Sequence, residues 1–395
     1  MSRPLKLALI AAEESGDVLG ATLMAALREQ HAAVAFTGVG GRAMAQQGLT
    51  SPFDTADLSI IGAASIPQKL PLIFRRIRET ADAVIAARPQ ALIIIDSPDF
   101  THRVARRVRK RSPDIPILNY APPTVWAWRP WRARAMRAYV DEVLAVLPFE
   151  PAAFARLNGP PCTYVGHPLA ERIAALRPSA EEAGRRTSDP PVLLVLPGSR
   201  ASEVRRLAGI FGAALADAAK RGGPFDAVLP TLPHLADQVS AAVADWPLRP
   251  RIVVEAEEKY AAFRTARAAL AASGTVTLEL ALAQVPTVAG YRIPAWEGAV
   301  FRLMAHIDTV ILANLVLGEK AVPEYLQSEC TPDRLAQALV PLLSDTAERR
   351  QQLEAFTRLD AIMGLSAEAP SRRAARAILA RIQHKTGLPS TSASC

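Results

Sequence analysis

Short runs of branched aliphatic residues recur along this chain, and most of them stop at a turn of small or acidic residues before a stretch with helical periodicity begins. Val192-Leu-Leu-Val-Leu196 runs into Pro197-Gly-Ser-Arg200 and then into a segment where Val204, Leu207, Ile210 and Phe211 recur on one helical face. Ala91–Ile95 runs into Asp96-Ser-Pro-Asp99, after which Phe100, Val104 and Val108 repeat in the same way. A strand apolar at every position is buried on both faces, and strands that alternate with helices pair in parallel. The pattern predicts an α/β fold of parallel sheets covered by helices. At 395 residues the chain is too long for one ordinary core, so two Rossmann-like domains are expected. Their bounds read as 1–176 and 192–366, with a polar, Pro-rich linker at 177–191 and a C-terminal helix and frayed tail at 367–395.

Open α/β sheets bind ligands at the carboxyl ends of their strands, so the turns carry the chemistry. At Pro197-Gly-Ser-Arg200 a strand, a tight turn and a helix start would aim backbone N–H groups at an anion, and Arg200 adds a donor that stays charged. Gly198 and Ser199 would supply the amides. Ala271-Ala-Ser-Gly-Thr-Val-Thr-Leu-Glu279 repeats the design, so Ser273, Gly274 and Thr275 could meet the same diphosphate. Glu279, one helical turn past Thr275, suits the hydroxyls of a ribose; without a ligand turn before it, it would read as a solvent-facing helical Glu. After the strand Leu5–Ala12 comes Glu13-Glu-Ser-Gly-Asp17, where Ser15 or Asp17 either caps the next helix or faces a ligand. Asp96 and Asp99 can serve in acid/base work, one as base and one orienting it; the alternative is an N-cap on a basic helix. Gly38-Val-Gly-Gly41 reads as a flexible loop and lacks the dinucleotide spacing, so NAD is not expected.

A net charge of +8 implies an anionic partner: nucleic acid, an acidic lipid surface or a phosphorylated substrate. Ile66–Arg78 combines apolar residues with Lys69, Arg75, Arg76 and Arg78, which suits either a membrane-facing element or a helix packed on its domain with a solvated basic face. Arg103, Arg106, Arg107, Arg109, Lys110 and Arg111 read as another solvated face. Trp126, Trp128 and Trp131 crowd with Arg129, Arg132 and Arg134 after Pro122-Pro123. They could stack bases, hold a sugar or wall a pocket, and core packing is the less expected role. His167, pinned between Gly166 and Pro168, is either a hinge residue or a catalyst. Asn314 lies on a connection too apolar for a free loop. Cys162, Cys330 and Cys395 are far apart, with no metal spacing, which points to a reducing compartment and no structural zinc. The N-terminus enters a strand at Leu5, and the longest apolar stretch, Phe301–Leu317, is broken by Arg302, His306, Asp308 and Asn314. Neither a secretion signal nor a membrane span is expected.

Eight motifs in order resemble one family, the lipid-A-disaccharide synthases: Glu13–Gly20, Gly38–Arg42, Asp96–Phe100, Val125–Arg129, Leu147–Glu150, Val165–Pro168, Leu196–Arg200, and Ser273–Thr275 with Glu279. The resemblance implies a GT-B glycosyltransferase of family 19, with two Rossmann-like domains facing across a cleft. It implies no metal and no cofactor, and a cytoplasmic enzyme peripheral to the inner membrane of a Gram-negative cell. The expected partners are UDP-2,3-diacylglucosamine, 2,3-diacylglucosamine 1-phosphate and the anionic inner-membrane surface. Nucleic acid is not among them, and a homodimer stays open as an alternative to a monomer. The chain departs from the family's usual residues at Ala12, Thr101, Pro122-Pro123-Thr124, Ala63-Ala64-Ser65 and Ala313.

Residue reading and resemblance converge on an inverting displacement in which Asp99 is the general base and Asp96 supports it. Glu13 and Asp17 would hold sugar hydroxyls, while Ser15, Trp126, Trp128, His167 and Asn314 would line the sugar or acceptor pocket. Arg200, the Gly198-Ser199 amides and the Ser273-Gly274-Thr275 turn would take the leaving-group charge. Two rivals make different demands. Another UDP-sugar enzyme on this architecture, a 2-epimerase or a transferase with a soluble acceptor, would not need the Ile66–Arg78 segment. A nucleic-acid-binding protein would leave both phosphate-type turns unused.

Overall fold

The structure, a computed structural model, describes residues 4–58, 66–294, 307–365 and 368–386. The chain divides into two compact units, Met1–Ala170 with Ala367–Cys395, and Glu171–Ser366. In the first unit β1 (Leu5–Ile10), β2 (Val34–Val39), β3 (Ala91–Ile95), β4 (Ile117–Tyr120), β5 (Glu142–Ala145) and β6 (Cys162–Tyr164) form a parallel sheet in the order β2-β1-β3-β4-β5-β6. In the second, β7 (Val192–Leu196), β8 (Asp226–Pro230), β9 (Arg251–Val253), β10 (Ala268–Ala272), β11 (Thr287–Tyr291) and β12 (Glu324–Leu326) form another, in the order β12-β11-β10-β7-β8-β9.

Continuous apolar strands are explained by cores on both faces of the first sheet. Ala8, Ile10, Leu92, Ile94, Ile117 and Val143 join one cluster, with Val104 and Val108 of helix Pro98–Arg111. Their neighbours Leu7, Leu9, Ile93, Ile95, Leu118 and Leu144 join the other, with Leu23 and Leu27 of helix Glu14–Gln30. Every residue of β3 is fully enclosed, so truncating Ile93 or Ile94 to Ala should cost about 2–5 kcal/mol.

Three segments differ from the sequence reading. Residues 177–191 carry helix Ala180–Thr187, begun by a capping box between Ser179 and Glu182, and belong to the second unit. Arg186 fixes it there. This side chain is buried and donates to the carbonyls of Phe263, Arg264, Ala283 and Gln284, at the C-terminal ends of helices Ala256–Thr265 and Thr275–Leu282, where unpaired carbonyls attract a cation. Burial lowers its pKa to about 10, which leaves it charged at neutral pH. The last described helix, Pro370–Thr386, packs on the first unit, with Ala374, Ala375, Ile378 and Ile382 in the core beside Leu23 and Leu27. Gly38 and Val39 belong to β2 and not to a loop. The tail 387–395, the Ala63–Ser65 departures, and Arg302 and His306 lie outside the described residues.

Candidate active site

In both sheets the candidate turns flank the point where strand order reverses, which is where open α/β sheets form a crevice at the strands' carboxyl ends. In the first sheet β1 and β3 are neighbours with Ile10 opposite Ile94, which sets the Glu13–Asp17 turn beside the Asp96–Asp99 turn. In the second, β7 and β10 are neighbours with Leu196 opposite Ala271, which sets Pro197–Arg200 beside Ser273–Thr275.

Asp96 ties the first pair of turns together. Its carboxylate accepts the N–H of Ala12 at 3.1 Å and of Glu13 at 3.2 Å. A Cβ on Gly16 would lie 1.6 Å from Asp96 Oδ2, so only glycine admits this approach. Burial pushes the Asp96 carboxyl up to about 7, against the hydrogen bond from Ala12 and with a smaller push from the charge of Glu13. Asp96 and Ser97 both take left-handed backbone conformations, φ 52° and 32°, which non-glycine residues adopt only when their surroundings hold them there. Thr101 supplies one such hold: its buried hydroxyl donates to the carbonyls of Asp96 and Ser97. Asp96 therefore supports the β1 turn, and no hydrogen bond joins its side chain to that of Asp99 among the described residues.

Asp99 stands in the first turn of helix Pro98–Arg111, whose N-cap is Ser97. Its side chain is 78% exposed and receives a hydrogen bond from Arg132 Nη2 at 3.2 Å. Glu13 is exposed at the N-cap of helix Glu14–Gln30 without a side-chain capping bond, and Ser15 is exposed in that helix's first turn. Asp17 is neither a cap nor open to a ligand. It is buried, and its carboxylate accepts the N–H groups of Gly41, Ala43 and Met44 at 2.7–3.0 Å, which shapes the glycine turn after β2.

The tryptophans separate. Trp126 is buried, packs edge-on against Phe149 and donates its Nε1–H to Glu150 Oε1, so core packing claims it despite the preceding prolines. Glu150 is enclosed, accepts the N–H of Val146 and Leu147, and is pushed up to about 7 by burial. Trp128 is half-buried with the Arg129 guanidinium 3.9 Å from its ring centre, and Trp131 is exposed. His167 is buried at the end of β6, where burial lowers it to about 4, and neutral Nδ1 accepts the N–H of Leu169. The basic helix is not merely solvated: Arg109 pairs with Asp141, Arg111 with Asp82, and Arg106 stacks on Tyr139.

The second pair of turns encloses a cavity of about 360 Å³ lined by Gly198, Ser199, Arg200, Glu203, Ser273, Gly274, Thr275, Glu279 and others. Every residue expected to meet UDP lines it; Asn314, expected in the sugar or acceptor pocket, does not. That side chain is buried and exchanges two hydrogen bonds with Val322, while its Nδ2 also donates to Thr309. The next residue's carbonyl, Val310, accepts the Ser273 hydroxyl, so Asn314 reaches the cavity through the loop it secures. Around the first turn the expected amides are partly engaged. Glu203 Oε2 accepts the N–H of Ser199 at 3.0 Å and of Arg200 at 3.2 Å. The donors left to the cavity are the Arg200 guanidinium, 76% exposed, the Ser199 hydroxyl and the N–H groups of Thr275 and Val276 at the start of helix Thr275–Leu282, which have no partner within that helix, whereas Thr277 donates to the Gly274 carbonyl. Reading the sequence alone overlooked Lys259, whose Nζ bonds both oxygens of Glu279 at 2.9 and 3.2 Å from a separate helix. No local spacing signals that pair, whereas Glu203, three residues after Arg200, has capping-box spacing.

Known proteins resemble this chain over nearly its whole length. A profile of the lipid-A-disaccharide synthetase family matches residues 7–378, and the lipid-A-disaccharide synthase of Rhodopseudomonas palustris strain HaA2 is 59% identical over 375 residues, 95% of each chain. The chain belongs to this family. Its fold is shared more widely. A putative UDP-N-acetylglucosamine 2-epimerase from Listeria monocytogenes superposes with a TM-score of 0.60 at 12% identity over 98% of both chains. The calicheamicin glycosyltransferase CalG4 does so with 0.57 at 18%, over 98% of this chain and 100% of its own. The α/β, two-unit GT-B architecture is therefore that of glycosyltransferases and epimerases alike. Within the family's usual pattern the departures are accommodated: Thr101 braces the Asp96–Ser97 backbone, and Ala313 is enclosed in the core.

Proposed function

We propose that this protein joins two acylated glucosamines, moving 2,3-diacylglucosamine from UDP-2,3-diacylglucosamine to the 6-hydroxyl of 2,3-diacylglucosamine 1-phosphate. The family supplies the substrates. The observation that supports the donor is the cavity at the second switch point, where Arg200, Ser199 and the Ser273–Thr275 turn stand opposite Glu279 and Lys259.

The acceptor oxygen attacks the anomeric carbon from the face opposite UDP, so the new C–O bond is β and the bond to the diphosphate breaks with its electron pair leaving on UDP. Asp99 takes the hydroxyl proton; its exposure leaves one oxygen open to an acceptor while Arg132 holds the other. Glu13 and Ser15, exposed at the head of their helix, meet sugar hydroxyls. Charge gathering on UDP meets Arg200 and the amides of the second turn, donors fixed before the reaction starts. Glu279, held by Lys259, accepts from the ribose.

An anionic membrane surface is the proposed location of the acylated substrates. Helix Ile66–Ala87 exposes Leu70 and Phe74, with Arg103 stacked over Phe74, and Trp131 is exposed in the same unit. Apolar tips set among cations suit a lipid interface. No described helix is long and apolar enough to cross a membrane. Phe74→Ser with Trp131→Ser should reduce sedimentation with phosphatidylglycerol vesicles and leave melting unchanged; undiminished sedimentation would remove this surface from the proposal.

The deciding experiment incubates purified protein with both sugar lipids and follows disaccharide and UDP by mass spectrometry. Equal amounts of the two products establish the reaction. UDP binding without disaccharide would move the assignment to another UDP-sugar enzyme.

A further inference from the structure

The Glu203 carboxylate is almost fully buried, yet it touches more of the cavity wall than a helix cap requires. Its Oε2 satisfies the N–H groups of Ser199 and Arg200, which is the capping function. Its Oε1 faces the other way. There it accepts the Tyr291 hydroxyl, from the end of β11, at 3.0 Å, and Arg200 Nη1 at 3.3 Å. Burial pushes the Tyr291 hydroxyl above its ordinary value, so it stays a donor. Gly198, at φ 127°, lets the turn close on this group: a Cβ there would lie 2.5 Å from Glu203 Cβ and Oε2.

We propose that Glu203 and Tyr291 are positioning residues for the diphosphate: Tyr291 fixes Glu203, and Glu203 holds one edge of the Arg200 guanidinium so that its remaining N–H groups face the leaving phosphates. An exposed arginine otherwise samples many rotamers, and binding must then order it. A guanidinium held at one edge meets the anion with less of that cost. Neither Glu203 nor Tyr291 touches the ligand in this arrangement, and both act through Arg200. The inference rests on the reading of the cavity as a UDP site.

Calorimetry with UDP and with uridine separates the diphosphate from the nucleoside. Tyr291→Phe should weaken UDP binding about 3- to 10-fold, the scale of one net hydrogen bond, and leave uridine affinity and the melting temperature near those of the wild type. Glu203→Gln, which puts an amide N–H among donors, should weaken UDP more, and Glu203→Asp should recover part of the loss. Equal losses for UDP and uridine would overturn the inference in favour of a general structural role. So would unchanged UDP affinity in Tyr291→Phe, and that variant decides the matter if Glu203→Gln fails to fold. A wild type that binds no UDP would instead overturn the reading of the cavity, and the inference with it.

Discussion

The two switch points share a topology and differ in where their central carboxylate comes from. In the first unit Asp96 reaches from the β3 turn to the amides of the β1 turn, so the crevice between the strands is filled by the protein's own acid. In the second, Glu203 comes from the first turn of helix Ala201–Gly222 and satisfies the amides of the turn just before it, so the neighbouring β10 turn is left facing a cavity. A carboxylate that bridges strands closes a crevice, and one that folds back on its own helix leaves it open. The first arrangement displays acids such as Asp99 and Glu13 at its rim, and the second presents cations and amides to a cavity.

If the first site carries the chemistry and the second the binding, Asp99→Asn should produce the largest effect. Turnover should fall about 10²-fold or more, the usual contribution of a general base, with UDP affinity unchanged in calorimetry. Near-normal turnover would remove Asp99 from the role of base. Arg200→Met should do the reverse, raising the Kd for UDP roughly 10- to 100-fold, as expected for losing charge-assisted hydrogen bonds. An unaltered Kd would mean that the second turn alone binds the diphosphate.

The bridging carboxylate makes a prediction about stability. Gly16→Ala forces a methyl group into Asp96 Oδ2, and overpacking of this kind costs about 1–3 kcal/mol. Thermal melting measures it; a variant as stable as the wild type would show that the two turns separate easily.

The smallest expected effect is one of pH. Asp96 and Glu150, both pushed up to about 7 by burial, hold protons in the folded unit that the unfolded chain releases near pH 4. Between those values the folded state binds more protons, so stability falls as pH rises from about 4 through about 7. Asp96→Asn removes its own share and should make the decline between pH 5 and 7.5 shallower, by on the order of 1 kcal/mol. Melting curves across that range should show it, and an unchanged slope would mean that Asp96 ionises as readily folded as unfolded.

Parallel strands and the strand–turn–helix junctions were legible because both are local: apolar runs, glycine and an arginine adjoin in the sequence. Strands β6, β11 and β12 were not, since Cys162–Tyr164 and Glu324–Leu326 are three residues long and Thr287–Tyr291 contains glycine. The partners of the turns were hidden for another reason. Lys259 and Glu279 stand 20 residues apart, Glu203 and Tyr291 stand 88 apart, and only the fold joins them. Trp126 misled because the prolines before it suggest exposure, whereas Glu150, 24 residues on, offers its indole a buried acceptor.

The return of helix Pro370–Thr386 to the first unit has a consequence for synthesis. Residues 1–170 leave the ribosome long before the helix that covers Leu23 and Leu27 exists, so the half begun first is finished last. Until then helix Glu14–Gln30 covers that face of the sheet without its partner helix, a state prone to association. A chain stopped at residue 365 should therefore keep the melting of its second unit and expose apolar surface in its first, which dye binding would detect. Helix Pro370–Thr386 thus makes closure of the first unit wait for the second to be translated.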